Sequence, residues 1–267
     1  VYSLVGSSGV TANQIQSTLR LAPIFSNIQY GYQAGYTGQG SYGLAIGYQA
    51  GYNAQANYGV AIGFLAGNDT QGIESVAIGR GAGQDSVSIG NQAGANSQGL
   101  YTVAIGQTAG NTSQGITSIA IGIGAGNNTQ SGYSVAIGNN AGGVTQGTSN
   151  NQAVALGYFA GYSNQDGYNV AIGSFAGYDT QHIGAVAIGN GAGSNVQNNF
   201  AIAIGNNAGY ITQGNSAIGI GYTAGYSNQA NNTVAIGNQA AFSDQSPNAI
   251  GIGYSAGYSN QGSSAVA

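Results

Sequence analysis

Few residues of this chain could carry out acid, base or metal chemistry, and those few are scattered. The 267 residues include one histidine and no cysteine. Catalysis and metal binding both need such groups to converge on one place. Asp179 and His182 are close enough in sequence to hydrogen-bond, but a lone pair in a loop is more often solvated surface. We therefore predict a non-enzymatic protein without catalytic residues, cofactor or metal site. The acidic residues are Asp69, Glu74, Asp85, Asp166, Asp179 and Asp244.

Tyrosines are the other side chains whose spacing could support a function, because pairs of them frame a recurrent Ala-Gly. A phenol ring presents an apolar face and a polar hydroxyl, which suits contact with a sugar or with a neighbouring molecule. The same rings could instead only cover a corner of the fold, and both interpretations stay open here. The candidate surface or partner contacts are Tyr32, Tyr36, Tyr48, Tyr52, Tyr158, Tyr162, Tyr178, Tyr210, Tyr222, Tyr226, Tyr254 and Tyr258.

The elements that position these residues are defined by a repeat. A four-residue pattern recurs fifteen times: an aliphatic residue, a small residue, a third residue that is usually Ile, and then Gly. We call this Gly the marker. Twelve of the fourteen intervals between markers are 16 residues, with one of 11 and one of 19. Stacked units that contact only their neighbours tolerate such changes in loop length. The markers are Gly31, Gly47, Gly63, Gly79, Gly90, Gly106, Gly122, Gly138, Gly157, Gly173, Gly189, Gly205, Gly221, Gly237 and Gly253.

The spacing within the repeat predicts strands rather than helices. The aliphatic positions three residues and one residue before the marker fall on the same side of an extended strand. Helical solenoids also need about 33 to 47 residues per unit. We therefore predict an all-β parallel β-solenoid, or β-roll, of about fifteen coils with a mostly 16-residue repeat. In this prediction the aliphatic columns fill the coil. The small column between them, mostly Ala, packs against another layer or another chain.

A Gln stands eight residues after every marker except Gly79, whose coil is short. Identical amides stacked at strand spacing can hydrogen-bond to one another as a ladder. A binding site needs a few convergent groups rather than many evenly spread ones, so we predict a structural ladder at a corner of the coil. It consists of Gln39, Gln55, Gln71, Gln98, Gln114, Gln130, Gln146, Gln165, Gln181, Gln197, Gln213, Gln229, Gln245 and Gln261.

The repeat also defines the expected domain organisation. Residues 1–27 lack it and contain Arg20 and Pro23. The end of a solenoid exposes unpaired strand groups, so we expect this segment to be an N-terminal cap or a docking segment. Residues 28–267 form the predicted solenoid domain, which stops in the middle of a repeat, as expected for a piece of a longer protein.

Charge and hydropathy exclude further classes. The chain is glycine-rich, with 50 Gly, and its two Arg and no Lys leave a net charge of -4. Nucleic-acid binding needs clustered cations, so it is not expected. No run of 18 apolar residues is present, so no membrane span is expected. A surface this poor in charge invites lateral association and favours a location outside the cytosol.

The segments at residues 75–79, 134–138 and 169–173, each with Ala-Gly shortly after it, resemble the head repeats of trimeric autotransporter adhesins. They are also similar to Gly-rich repeats of phage and giant-virus fibre proteins. The resemblance covers nearly all of residues 28–267 and implies a left-handed β-roll that packs side by side as a homotrimer. It also implies attachment to a host surface. The period of 16 is longer than is typical of that family, and neither neck nor stalk motifs are present.

These observations favour a structural fibre or adhesin module on the surface of a cell or virion, attaching to a host or other surface. The expected partner is a second copy of the chain, as a trimer or in a filament, with surface glycans as a further candidate. A self-assembling extracellular filament is the alternative function. Ice binding is less favoured, because the residues before the ladder Gln include Thr70, Thr129, Thr145, Thr180 and Thr212 but vary between them.

Overall fold

The computed structural model describes residues 19–21, 27–83, 87–147 and 152–267. The chain divides into two compact units, Val1–Gln92 and Ala93–Ala267. In the described ranges, every regular element is a β-strand, and coils of about 16 residues stack in parallel within each unit. The prediction of an all-β parallel β-solenoid is therefore confirmed.

Each coil begins with a three-residue strand that ends immediately before the marker. These strands pair in parallel and in register, so that Val170, Ala171 and Ile172 lie opposite Val186, Ala187 and Ile188. In the first unit they are β2 (Ile28–Tyr30), β3 (Leu44–Ile46), β4 (Val60–Ile62), β5 (Val76–Ile78) and β6 (Val87–Ile89). In the second unit they are β8 (Val103–Ile105), β10 (Ile119–Ile121), β12 (Val135–Ile137), β14 (Val154–Leu156), β15 (Val170–Ile172), β17 (Val186–Ile188), β19 (Ile202–Ile204), β21 (Ile218–Ile220), β23 (Val234–Ile236) and β25 (Ile250–Ile252).

A second strand of two or three residues in most coils of the second unit ends at the ladder Gln. These strands form two parallel sheets, which isolated bridges from Gln146 to Gln165 and from Gln165 to Gln181 connect. The first sheet contains β7 (Asn96–Gln98), β9 (Thr112–Gln114), β11 (Thr129–Gln130) and β13 (Thr145–Gln146). The second contains β16 (Thr180–Gln181), β18 (Val196–Gln197), β20 (Thr212–Gln213), β22 (Ser227–Gln229), β24 (Ser243–Gln245) and β26 (Ser259–Gln261). In the first unit, single bridges such as Gln55 to Gln71 take their place.

The marker glycines form a tight corner where one coil meets the next. Gly189 has φ +129°, which side chains disfavour. A Cβ on Gly189 would also lie 2.5 Å from the carbonyl oxygen of Gly205, the marker of the next coil. The same close approach recurs between Gly31 and Gly47. The marker is therefore invariant because successive coils contact each other through their backbones at this corner.

The residues that face the interior of the coil are the opposite of those predicted from the sequence. Ala171 and Ala187, between the aliphatic positions, are completely buried, whereas Val186 and Ile188 on either side are only half-buried. A second Ala, three residues after the marker, is also buried, as at Ala176. The prediction that the aliphatic columns fill the coil was wrong, because a 16-residue coil is too narrow to hold two rows of branched side chains. Ala faces inward and Val and Ile face outward.

The ladder Gln fills the space that these small residues leave. Gln181 and Gln197 are fully buried, so they lie inside the coil and not at a corner. The amide of Gln197 donates to the carbonyl of Val186 in the first strand at 3.0 Å, which links the two strands of one coil. Gly161, just after the inward Ala, is constrained by this packing, since a Cβ there would lie 2.6 Å from the Gln165 Oε1.

The segment predicted as a cap lies mostly outside the described residues, which include only 19–21 and 27 of it. Strand β1 (Leu19–Leu21) pairs antiparallel with β2, and Leu19 lies opposite Tyr30. The backbone of β1 thus occupies an edge of β2 that an uncapped parallel stack would leave unpaired.

Candidate functional site

Inside the solenoid, the side-chain amide of a ladder Gln donates a hydrogen bond to the ladder Gln of the next coil. In the second unit the links run without interruption from Gln165 to Gln261, at 2.7 to 3.1 Å between each Nε2 and the next Oε1. Shorter runs join Gln98 to Gln114, Gln130 to Gln146 and, in the first unit, Gln39 to Gln55. Because most of these amides are buried, we assign them to stabilising the coil rather than to binding.

The series is interrupted at three buried oxygens. The Oε1 atoms of Gln71, Gln130 and Gln165 have no hydrogen-bond partner among the described residues. In each case the amide of the preceding coil donates to two backbone carbonyls and not to this oxygen. The Nε2 of Gln55, for example, donates to the carbonyls of Leu44 and Gly59 at 3.0 and 2.9 Å.

Two rows of aliphatic side chains lie on the outside of the coil. They come from the first and third residues of the first strands, and most are half-buried. Ile137 and Ile236 are 36% exposed. Because the strands are in register, these side chains form a continuous apolar strip within the second unit, which sequence reasoning had placed in the core.

The predicted tyrosines occupy the turn after the marker and form stacked rows. One residue after the marker, Tyr32 stacks on Tyr48 with ring centroids 5.3 Å apart. Five residues after it, Tyr210 stacks on Tyr226, and the row continues through Phe242 to Tyr258 at 5.0 to 5.2 Å. The pairs Tyr36 with Tyr52 and Tyr162 with Tyr178 stack in the same way, at 5.3 and 5.5 Å. Tyr222 and Tyr254 belong to the first row but are separated in it by Asn238; both are exposed.

A third aromatic position was missed in the sequence. Tyr42 and Tyr58, eleven residues after their markers, stack at 5.2 Å and are both more than half exposed. Tyr101 and Tyr133 occupy the equivalent turn, and all four have φ near +60°. The signal available was the regular offset from the marker, which also places Tyr168 there.

Five rings of two adjacent coils come together as one surface cluster, which we call the aromatic patch: Tyr158, Phe159, Tyr162, Phe175 and Tyr178. Phe159 and Phe175 are parallel, with centroids 5.7 Å apart. Tyr158 contacts both through edge-to-face geometry at 4.6 and 5.3 Å. On the other side, Tyr162 contacts Phe159 at 4.9 Å and Tyr178 contacts Phe175 at 5.5 Å. The patch therefore combines three predicted tyrosines with two phenylalanines that the sequence did not indicate.

In the described ranges, the acidic groups and the histidine make pairwise contacts rather than one cluster. The Nδ1 of His182 lies 3.2 Å from Asp166 Oδ2, so its carboxylate contact comes from the previous coil and not from Asp179. Asp244 accepts from the amide of Asn228 at 2.9 Å. In the part of the chain that the structure describes, no three His, Cys, Asp or Glu side chains group together as metal ligands would. Asp85 lies outside that part.

The residues immediately before each ladder Gln form the row that an ice-binding surface would need. They adopt two different backbone conformations. Thr129 lies opposite Thr145, and Thr180 lies opposite Val196. At the same offset Ser113 and Asn228 have φ of 57° and 54°. β-Branched residues disfavour positive φ, and the non-branched residues here accept it. The row is therefore not a uniform array of threonines.

Comparisons with protein-family models, with curated proteins and with solved structures give no match for this chain. Nowhere in the described ranges is there a helix of the length and hydrophobicity that crossing a membrane requires.

Proposed function

We propose that this chain is a non-enzymatic module of a surface fibre, on a cell or a virion, which attaches to a host or other surface. The observation that carries the proposal is the aromatic rows on the turns of the coil, in which successive rings repeat every 5.0 to 5.5 Å and some tyrosines, such as Tyr36 and Tyr48, are exposed. The rows lie on a backbone that parallel sheets hold in place. The resemblance of the repeat to adhesin and fibre repeats supports the same function.

Regular repetition suits attachment through many weak contacts. Stacking restrains each ring before any ligand arrives, so less conformational freedom is lost on binding. Linked weak contacts also add as avidity, because the second contact forms at the high effective concentration that the first one sets. A module of this kind needs no unique pocket in order to hold a surface.

The partner that we propose in addition is a second copy of the chain, with a side-by-side homotrimer as the assembly. The support comes from the outward aliphatic strip and no longer from the Ala column, which the coil's own interior explains. Exposed apolar area costs about 25 cal/mol for each Å² left in water, and contiguous apolar patches mark association sites. The same strip also favours the alternative function, a self-assembling extracellular filament.

Sedimentation equilibrium and negative-stain microscopy of the full chain test the assembly. We expect discrete particles with three times the chain mass of 26.3 kDa; end-to-end polymers would favour the filament, and monomers at all concentrations would contradict both. A variant with Thr at Val170, Val186 and Ile202 keeps β-branched strands but makes part of the strip polar. It should dissociate, whereas Thr at the buried Ala171 would instead damage the coil.

Attachment is tested with beads coated with the full chain, presented to animal cells, bacteria and polysaccharide films. We expect adhesion to at least one surface and a loss of adhesion when Tyr222 and Tyr226 are replaced by Asn. Asn is found naturally at the same two offsets, at Asn206 and Asn127, so the coil should accept it. Coated beads that adhere to none of the surfaces would contradict the proposal.

A further inference from the structure

The aromatic patch differs from every other part of this repetitive surface. Among the fifteen repeats, the residue two positions after the marker is aromatic only at Phe159 and Phe175. At other coils this position holds Gln, Asn, Thr, Ser, Leu or Gly. The two rings are adjacent and parallel, and tyrosines contact them on both sides. A repeat that is otherwise uniform thus contains one local site.

Aromatic residues are costly at these two positions. Phe159 has φ +52° and Phe175 has φ +55°, a left-handed conformation that is strained for a bulky side chain. Gly occupies the same position at Gly124 and Gly191, with φ of 66° and 64° and no such cost. The fold therefore does not require phenylalanine here, and the rings must contribute something other than backbone geometry.

The surroundings of the patch are polar and uncharged. The amide nitrogen of Phe159 donates to the carbonyl of Asn139, so the turn of the previous coil that contains Asn139 and Asn140 lies next to the turn of Phe159. On the other side, Gly191 donates to the carbonyl of Ser174. The turn segments 139–143, 158–162, 174–178 and 190–194 contain no charged residue. The closest carboxylate in sequence is Asp179, which follows Tyr178 and would repel an anionic ligand.

We infer that the aromatic patch is a binding site for a neutral saccharide. The C–H face of a sugar ring packs on an aromatic face, and its hydroxyls pair with amides and phenol hydroxyls, which both donate and accept. The patch supplies rings that are exposed, since Tyr158 is 50% and Phe175 is 39% exposed. Amides at its border supply the polar partners. The inference rests on the proposed attachment function and assigns a ligand class to one place on the surface.

The test uses the full chain on a printed array of defined neutral and acidic oligosaccharides. Replacing Phe159 and Phe175 together by Gly removes the rings at positions where Gly is already native to the repeat. We expect the wild-type chain to bind neutral glycans and this variant to lose at least about tenfold in affinity, as for a central aromatic contact. Asn207→Gly, at the same offset two coils beyond Phe175, is the matched control and should bind like the wild type.

Each outcome decides the inference. Equal binding by the double variant, or equal loss in Asn207→Gly, overturns the patch as the site but leaves attachment through the tyrosine rows intact. Binding restricted to acidic glycans, or no glycan binding while coated beads still adhere to cells, overturns the saccharide as ligand. A shift in oligomeric mass of the double variant, with unchanged glycan binding, assigns the patch to self-association instead.

A second readout does not depend on the variants. The chain contains six Phe, so selective isotope labelling of Phe gives a simple NMR spectrum. Addition of a glycan that binds on the array should shift the signals of Phe159 and Phe175. The signal of Phe64, which stacks on Tyr48 in the first unit, should stay in place. Shifts at Phe64 alone would overturn the inference.

Discussion

The Nε2 of Gln181 donates to the Oε1 of Gln197 at 2.7 Å inside the coil, where both side chains are fully buried. Gln197 in turn donates to Gln213 at 2.8 Å and to the carbonyl of Val186. One amide therefore joins three coils and also bridges the two strands of its own coil. In a chain with few charges and an interior of Ala, these amides supply the specific contacts that fix the register of one coil on the next.

Replacing Gln197 by Met tests the contribution of the amide, since Met preserves volume. The change leaves the Val186 carbonyl and the Gln213 Oε1 without their donor in a buried place. We expect the free energy of unfolding to fall by about 2–4 kcal/mol, from two unpaired buried acceptors, measured by chemical denaturation followed by circular dichroism. Gln107→Met, at an exposed position after its marker, is the control and should change stability by less than about 0.5 kcal/mol. Equal effects at the two sites would contradict the structural role of the interior amides.

Replacing Gly189 by Ala tests the contact between markers. The new Cβ would lie 2.5 Å from the Gly205 carbonyl oxygen at a φ of +129°, so the backbones of two coils must move apart. We expect a loss of at least about 3 kcal/mol and new proteolytic cleavage near the affected coils. Gly262→Ala is the matched control, because nothing lies within 4 Å of the added carbon. A stable, protease-resistant Gly189→Ala variant would show that the corner is not a close contact.

Stability should be nearly independent of salt. In the described ranges the one contact between an acidic and a basic side chain is that of His182 with Asp166. These side chains are 43% and 24% exposed. Pairs this exposed contribute about 0–1 kcal/mol. Asp166→Asn should therefore lower the free energy of unfolding by less than about 1 kcal/mol, and raising NaCl should leave the thermal midpoint almost unchanged. A strong salt dependence would point to charge interactions that the described coils do not contain.

The phase of the repeat was sufficient to predict the coil, its strands and the recurrent Gln, because each depends on the identity of residues at a fixed offset. The direction in which the strand faces was not predictable in the same way. Alternation shows that Val186 and Ile188 share one side and Ala187 the other, but it does not show which side is inside. The usual preference for large apolar side chains in a core gave the wrong answer.

The missing information was the width of the coil. Gln197 extends from the second strand toward the first, and only a small residue such as Ala187 leaves room for it. The strict pairing of a Gln column with two Ala columns was the available signal. Nor could the aromatic patch be found from the tyrosines alone, since Phe159 and Phe175 adopt a backbone conformation that sequence rules assign to Gly or Asn.

Two substitutions distinguish a coil with Ala inside and Val and Ile outside from a coil with the opposite orientation. Ala187→Leu should place three extra carbons into a filled interior, against the Gln that faces it, and cost at least about 1–3 kcal/mol in the free energy of unfolding. Val186→Thr, on the adjacent outward position, keeps a β-branched side chain in partial contact with water and should cost less than about 1 kcal/mol. Thermal denaturation of the two variants measures both effects. If Val and Ile filled the coil instead, Val186→Thr would bury an unpaired hydroxyl and be the more damaging change, while Ala187→Leu on the outside would be tolerated.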